Sequence, residues 1–393
     1  MLLILSLAEL LGISLWFSAS AVVPALTAEW GLSDAGKAWL TMSVQIGFVA
    51  GTLLSAFFNL ADLIPAHIFF AASAFLAAIC NAAIPVLVHG LAPGLVFRFL
   101  TGMLLAGVYP VGMKLMASWT KADRGLGIGL LVGALTIGSA TPHLINAFGG
   151  FDWRLVVWTA SGLAGLGGVI ALVGVRSGPY AAPSPGFNPG FAARALLDRG
   201  VRLANLGYLG HMWELYAMWS WIPLFLLSSF NLAGVDQPWA GLAAFAVIAL
   251  GGPGSLLAGI MADRLGRTTL TIGSMAISGT CALGVGWLYG GNPWPLLALS
   301  LVWGFAVVAD SAQFSACVSE LCPPQYIGTA LTLQTCLGFL LTLVTIRLIP
   351  PAVSLLTWRY AFALLAIGPA LGILAMLALR RSPEAVRLAG GRG

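Results

Sequence analysis

Three acidic residues, Glu9, Glu214 and Asp310, stand well inside apolar runs of about 20 residues. A carboxylate at the centre of such a run costs at least ~2.5 kcal/mol on insertion scales, so it persists only where it is paired, protonated or facing water. Burial disfavours the charged form, and such a group can take up and release a proton as its surroundings change. The competing role is a permanent tie between helices, for instance Glu9 bonded to a neighbouring hydroxyl or indole. His211 lies one turn from Glu214, where an imidazole can relay a proton or pack as a neutral ring.

The elements that must hold these acids are membrane spans. The 393-residue chain is 59% hydrophobic and 8% charged, whereas soluble domains carry about a quarter charged residues. Twelve apolar runs fall at approximately 2–23, 38–58, 67–88, 93–118, 125–148, 155–175, 203–228, 238–262, 268–290, 295–319, 327–350 and 359–379, numbered here as spans 1 to 12 and read as helices because barrel strands are short and alternating. The first run is read as a span and not as a cleaved leader, although Ala19, Ser20 and Ala21 resemble a cleavage site. No basic residue precedes that run, and Glu9 interrupts it.

Lys and Arg placement predicts cytoplasmic termini. Lys121, Arg124, Arg176, Arg194, Arg199, Arg202, Arg264, Arg267, Arg380, Arg381, Arg387 and Arg392 then face inward, and Lys37, Arg154 and Arg359 outward. The net charge of +5 reads as anchoring to anionic lipid and not as nucleic-acid binding. Cys80, Cys281, Cys317, Cys322 and Cys336 lie within spans or at their inner ends, which argues against a disulfide framework.

A charged turn joins spans 8 and 9: Gly259, Asp263, Arg264, Gly266 and Arg267 spell Gly-x-x-x-Asp-Arg-x-Gly-Arg. Roughly 200 residues earlier, Asp62 stands in an eroded copy, with Phe58 for the glycine and Leu63, Ala66 and His67 for the basic positions. At similar offsets Glu9, Leu10 and Trp16 fall on Glu214, Leu215 and Trp221, Gly125 on Gly328, and Trp153 and Arg154 on Trp358 and Arg359. The loop resembles the cytoplasmic signature of the major facilitator superfamily of secondary transporters, and Arg98 with Gly102 is similar to that family's Arg-x-x-x-Gly element.

The resemblance covers the whole chain and implies an all-α membrane protein: twelve helices in two pseudo-symmetric six-helix bundles. The boundaries read as 1–175 for the first bundle, 176–202 for a cytoplasmic linker rich in Pro179, Pro183, Pro185 and Pro189, 203–379 for the second bundle, and 380–393 for a cytoplasmic tail. Spans 1, 4, 7 and 10 line the central cavity in that fold, which puts all three acids on cavity helices. Helical spacing then groups Ile13, Trp16 and Ser20 with Glu9; His211, Met218 and Trp221 with Glu214; and Gln313 and Cys317 with Asp310. Span 4 adds Gly102, Ala106, Tyr109 and Met113, with Pro110 as a kink. Trp16, Tyr109, Met113, His211, Met218, Trp221 and Gln313 are the candidate cavity residues. Aromatic rings beside buried acids suit an organic cation or an amphipathic neutral solute.

By the same resemblance Gly259, Asp263, Arg264, Gly266, Arg267, Asp62 and Arg98 form a conformational latch. Asp263 is expected against the N-terminus of span 11 near Gly328, with Gly259 allowing close helix approach and Gly266 a tight turn. Lys114 pairs with a cavity acid or a substrate, or reaches the inner surface. Glu320 reads as a solvated end charge. His143 and Arg347 are assigned to outer-gate or headgroup contacts.

The expected activity is proton-coupled transport of a small organic solute by a monomer, without cofactor or metal. Uptake by symport is favoured over antiport export, since the Gly-Pro element of span 5 is incomplete, with Gly133, Gly138 and Pro142 alone. Nitrate-type uptake is disfavoured because spans 2 and 8 carry no arginine in their apolar parts. Import of a copper-like ion by Met113, Met218, His211 and Cys317 lacks tight ligand spacing. A membrane-embedded enzyme or sensor is disfavoured, since no catalytic triad, metal-binding helix or phosphate loop is present.

Overall fold

The computed structural model describes residues 1–120, 124–148, 152–181, 187–188, 190–191 and 197–392. Lys121, Pro183, Pro185, Pro189 and Arg194 lie outside the described residues. Among the described residues, ten helical stretches are long and apolar enough to cross a bilayer. The longest, Ile327–Arg380, is broken at Thr357, whose φ of 62° and ψ of 170° are not helical, so it supplies spans 11 and 12. Span 1 adds a shorter helix, Leu2–Ile13, continued by Ser20–Val22 and Val23–Trp30. Twelve crossings result.

The remaining spans are Asp34–Phe57 (span 2), Ala66–Leu87 (span 3), Leu91–Leu105 with Tyr109–Trp119 (span 4), Arg124–Ala147 (span 5) and Trp153–Gly174 (span 6). The second half has Arg199–Leu232 (span 7), Gln237–Ala249 with Gly251–Leu265 (span 8), Arg267–Gly284 (span 9) and Pro293–Ala309 with Ser311–Leu321 (span 10).

Packing repeats between the halves. Span 1 lies on spans 5 and 6, span 2 on 4, and span 3 on 6; correspondingly span 7 lies on 11 and 12, 8 on 10, and 9 on 12. The bundles meet through span 2 against 11 and span 5 against 8. Lipid supplies no hydrophobic drive for helix association, so small residues that let backbones touch carry these contacts. A Cβ on Gly102 would sit 1.9 Å from the Val44 carbonyl, and one on Gly304 would sit 1.8 Å from that of Val247.

The halves differ in their first helices. Span 7 runs unbroken for 34 residues despite Pro223. Span 1 stops helical bonding after Ile13, and Ser14 and Ser18 turn their hydroxyls onto the carbonyls of Leu11 and Leu15, at 2.7 and 2.9 Å. Serine competing for backbone partners in this way favours turns over helix.

Candidate functional site

The side of the bundle carrying the 2–3 and 8–9 turns and the mid-chain linker is called here the linker side, and the opposite one the far side. Midway between them lies a cavity of about 50 Å³, lined by Tyr109 and Met113 of span 4, Tyr208, Tyr216 and Trp219 of span 7, and Phe339 of span 11. Tyr109 and Met113 occupy the wall expected of them. Span 7 is rotated from the expectation: its cavity face carries Tyr208, Met212, Tyr216 and Trp219, while His211, Glu214 and Met218 are buried outside the lining. Anchoring the helical face on Glu214 assumed that an acid must face water; this one is satisfied inside its own bundle. The repeat of aromatics at 208, 216 and 219 was the available signal for the true face.

Glu214 accepts hydrogen bonds from Ser278 Oγ of span 9 at 2.8 Å and Trp303 Nε1 of span 10 at 2.7 Å. Asp310 sits at the break between the two helices of span 10, with its Oδ1 2.8 Å from His211 Nδ1 and both side chains buried. His211 therefore meets Asp310 and not Glu214. Glu9 is fully buried, and neither of its oxygens has a hydrogen-bond partner among the described residues. Its Oε2 occupies space that only a glycine leaves, 2.5 Å from where a Cβ on Gly112 would stand. Gly112 lies between Tyr109 and Met113, so Glu9 is one layer behind the cavity wall.

On the far side of this cavity an aromatic cluster joins the two bundles. Trp16 lies 5.0 Å from Phe48, 5.9 Å from Tyr216 and 5.5 Å from Phe339, centroid to centroid. Phe48 and Phe339 are 4.7 Å apart, and Thr342 of span 11 donates to Gln45 of span 2 beside them. Trp16 thus plugs the path and does not line the cavity. One helical turn further lies a larger cavity of about 290 Å³, bounded by Ser20, Lys37, Thr41, His143, Trp221 and Leu224 among others. Trp221 belongs to this second space and donates its Nε1 proton to the Ile346 carbonyl at 3.0 Å. His143 is buried in the wall of this space, whereas Arg347 is exposed.

The linker side of the second bundle carries an ion-pair cluster. Arg267 reaches Glu320 at 2.6 Å, Asp263 at 3.3 Å and the Gln313 amide oxygen at 2.7 Å. Gln313 therefore belongs to this cluster and not to the cavity, and Glu320 is an ion-pair partner and not a solvated end charge. The segment Pro383–Gly390 folds over this cluster: the Ala389 N–H donates to Glu320, Arg387 to the Leu321 carbonyl, and Arg392 to the Asp263 carbonyl.

Gly266 has φ of 87°, a conformation open to glycine at little cost. Gly259 lies against span 5, where a Cβ would stand 2.4 Å from the Gly125 carbonyl. The carboxylate of Asp263 also faces Gly125, 3.3 Å from its Cβ position, while Gly328 has nothing within 4 Å. Asp263 thus serves the start of span 5, not span 11, because span 8 packs on span 5. Arg264 is exposed.

In the eroded copy, Asp62 pairs with Lys114 Nζ at 2.5 Å, and the same ammonium donates to the Ala61 carbonyl. The cation missing from the turn is thus supplied by span 4. Arg98 takes no part in the latch. It is fully buried and donates to the carbonyls of Leu15 and Trp16, to Ser18 Oγ and to Asn81 Oδ1. The turn in span 1 leaves the Trp16 carbonyl to it, while the Leu15 carbonyl is shared with Ser18.

Comparison with known proteins follows this geometry. Among solved structures, the D-xylose–proton symporter superposes with a TM-score of 0.74 at 18% identity, covering 98% of both chains. The proton:xylose symporter bound to 6-bromo-6-deoxy-D-glucose gives 0.71 at 17% identity, over 96% of this chain and 94% of the other. At such identities the likeness is one of fold. The 3-(3-hydroxy-phenyl)propionate transporter of Escherichia coli (strain K12) is 31% identical over 141 residues, which are 35% of this chain and 33% of that protein. The match thus spans about a third of the relative's length. The family model of the Major Facilitator Superfamily matches residues 5–346, nearly the whole apolar body with both halves of the repeat, and the chain belongs to that superfamily of membrane transporters.

Proposed function

We propose that the chain is a proton-coupled symporter of a small amphipathic organic solute, with its linker side in the cytoplasm and Glu9 as the principal coupling group. The observation that carries this reading is Glu9 itself. A fully buried carboxyl whose oxygens have no hydrogen-bond donor among the described residues is a group whose proton exchange depends on water or a base reaching it. It stands one layer behind Tyr109 and Met113, so a rearrangement of span 4 that widens the cavity brings water to it. The His211–Asp310 contact ties span 7 to span 10, and Glu214, held by two donors, serves as a second tie.

In this reading the aromatic cluster of Trp16, Phe48, Tyr216 and Phe339 serves as the far-side gate of the small cavity, and the Arg267 cluster holds together the linker-side end of the second bundle. Of the solute classes expected, the organic cation has the weaker support at the midplane, where tyrosines, methionines, Trp219 and Phe339 line the wall and no acid does among the described residues. The soft-metal alternative loses its ligand set, since Met113 lines the cavity while Met218, His211 and Cys317 are buried outside the lining. Export by antiport uses the same parts, and only the direction of coupled flux separates it from symport.

The test is reconstitution in liposomes with a pH-sensitive dye inside. Solute-driven proton entry is expected in the wild type and absent in Glu9→Gln. Retention of wild-type coupling by Glu9→Gln would remove Glu9 from the mechanism.

A further inference from the structure

From the far-side cavity we infer a capture site for an organic carboxylate, in which Lys37 and His143 hold the anionic head and Trp221, Leu224 and Leu227 hold an apolar body. The inference rests on the reading that the solute passes through this cavity, and it names the solute's charge.

Lys37 and His143 are the only ionisable side chains lining this space, and no carboxylate lines it among the described residues. A cavity walled by low-dielectric protein, with an ammonium at its edge and no lining carboxylate among the described residues, favours an anion over an amine. His143 is 3% exposed, and its Nε2 is a buried polar atom with no hydrogen-bond partner among the described residues. Leaving such an atom unpaired is costly, so a ligand oxygen placed against it is favoured. Lys37 donates to Asp34 Oδ1 at 2.8 Å, and Asp34 is 71% exposed. One donor of three is thereby used, leaving the ammonium two more.

The rest of the wall suits an amphipathic anion. The Trp221 N–H is already committed to Ile346, so the indole offers only its apolar surface. Thr41 and Ser20 share a hydrogen bond of 2.7 Å across spans 1 and 2, placing hydroxyls at the same end as Lys37. The volume of about 290 Å³ is at the small end of ligand sites, which points to a short aryl or alkyl carboxylate and away from large drugs.

The experiment reads binding alone. Purified full-length protein is heated with 3-phenylpropionate, its amide, or 3-phenylpropylamine, three probes with one body and different heads. Millimolar 3-phenylpropionate is expected to stabilise the wild type more than either companion. Its affinity should fall roughly tenfold to a hundredfold in Lys37→Gln, the loss expected for one charge-assisted hydrogen bond, and recover in Lys37→Arg. His143→Asn should weaken it further, and because Lys37 lies at the edge of the cavity the first variant remains informative if the second does not fold. Equal or stronger stabilisation by the amide or the amine, no stabilisation by any probe, or unchanged affinity in Lys37→Gln overturns the inference. Carboxylate binding without proton entry in liposomes would instead sink the coupling reading and leave the capture site standing.

Discussion

Glu9 and Glu214 occupy equivalent places in the two halves, yet their surroundings differ. Glu214 takes one donor on each oxygen, from Ser278 and Trp303, both in its own bundle. Glu9 has neither, and its oxygen rests against Gly112 of span 4. Duplicated positions in a two-bundle transporter can therefore diverge into a fixed strut and a free acid. A carboxylate with satisfied lone pairs is held in place, whereas one without them answers to whatever reaches it.

The sharpest way to break this comparison is to exchange each acid for its amide. Glu9→Gln is expected to abolish solute-driven proton entry while leaving thermal stability near wild type, since no hydrogen bond is lost. Glu214→Gln should do the reverse: coupling survives, and stability falls by about 1–3 kcal/mol because the new amide N–H group confronts a donor. Denaturation in detergent and dye-reported flux separate the two outcomes. Loss of coupling in Glu214→Gln with unchanged stability would reverse the assignments.

The same contrast runs through the linker side, where the second half has a cluster and the first a single pair. Arg267→Gln removes contacts to Glu320 and Asp263 at once. Roughly tenfold greater labelling of a cysteine placed on the linker side of the midplane cavity is the expected readout, corresponding to about 1.4 kcal/mol. Asp263→Asn should shift the same labelling less, because its side chain is half exposed and its contact is longer. Lys114→Gln should change stability by less than about 1 kcal/mol, as for a partly solvated pair. An effect of Lys114→Gln as large as that of Arg267→Gln would show the eroded turn to be the equal of the intact one.

The twelve spans, their duplication and the 8–9 turn were legible because hydropathy runs and a glycine-punctuated motif are local signals. Tyr109 and Met113 were legible from the period of one helix. The face of span 7 was not, since Glu214 finds its donors 64 and 89 residues away, and no sequence period reports such contacts. Gln313 and Glu320 were misplaced for the same reason, their partner Arg267 being 46 and 53 residues distant. Arg98 was visible as part of a motif, but its partners are Ser18, Asn81 and carbonyls at a turn that hydropathy reads as continuous span.

Those carbonyls set a limit on how the first half can move. Straightening span 1 into a regular helix would reclaim the Trp16 oxygen for backbone bonding and take one acceptor from the fully buried guanidinium of Arg98. The elbow in span 1 is thus riveted to spans 3 and 4 through Asn81 and Arg98. When the bundles rock, this corner should travel as one stiff piece.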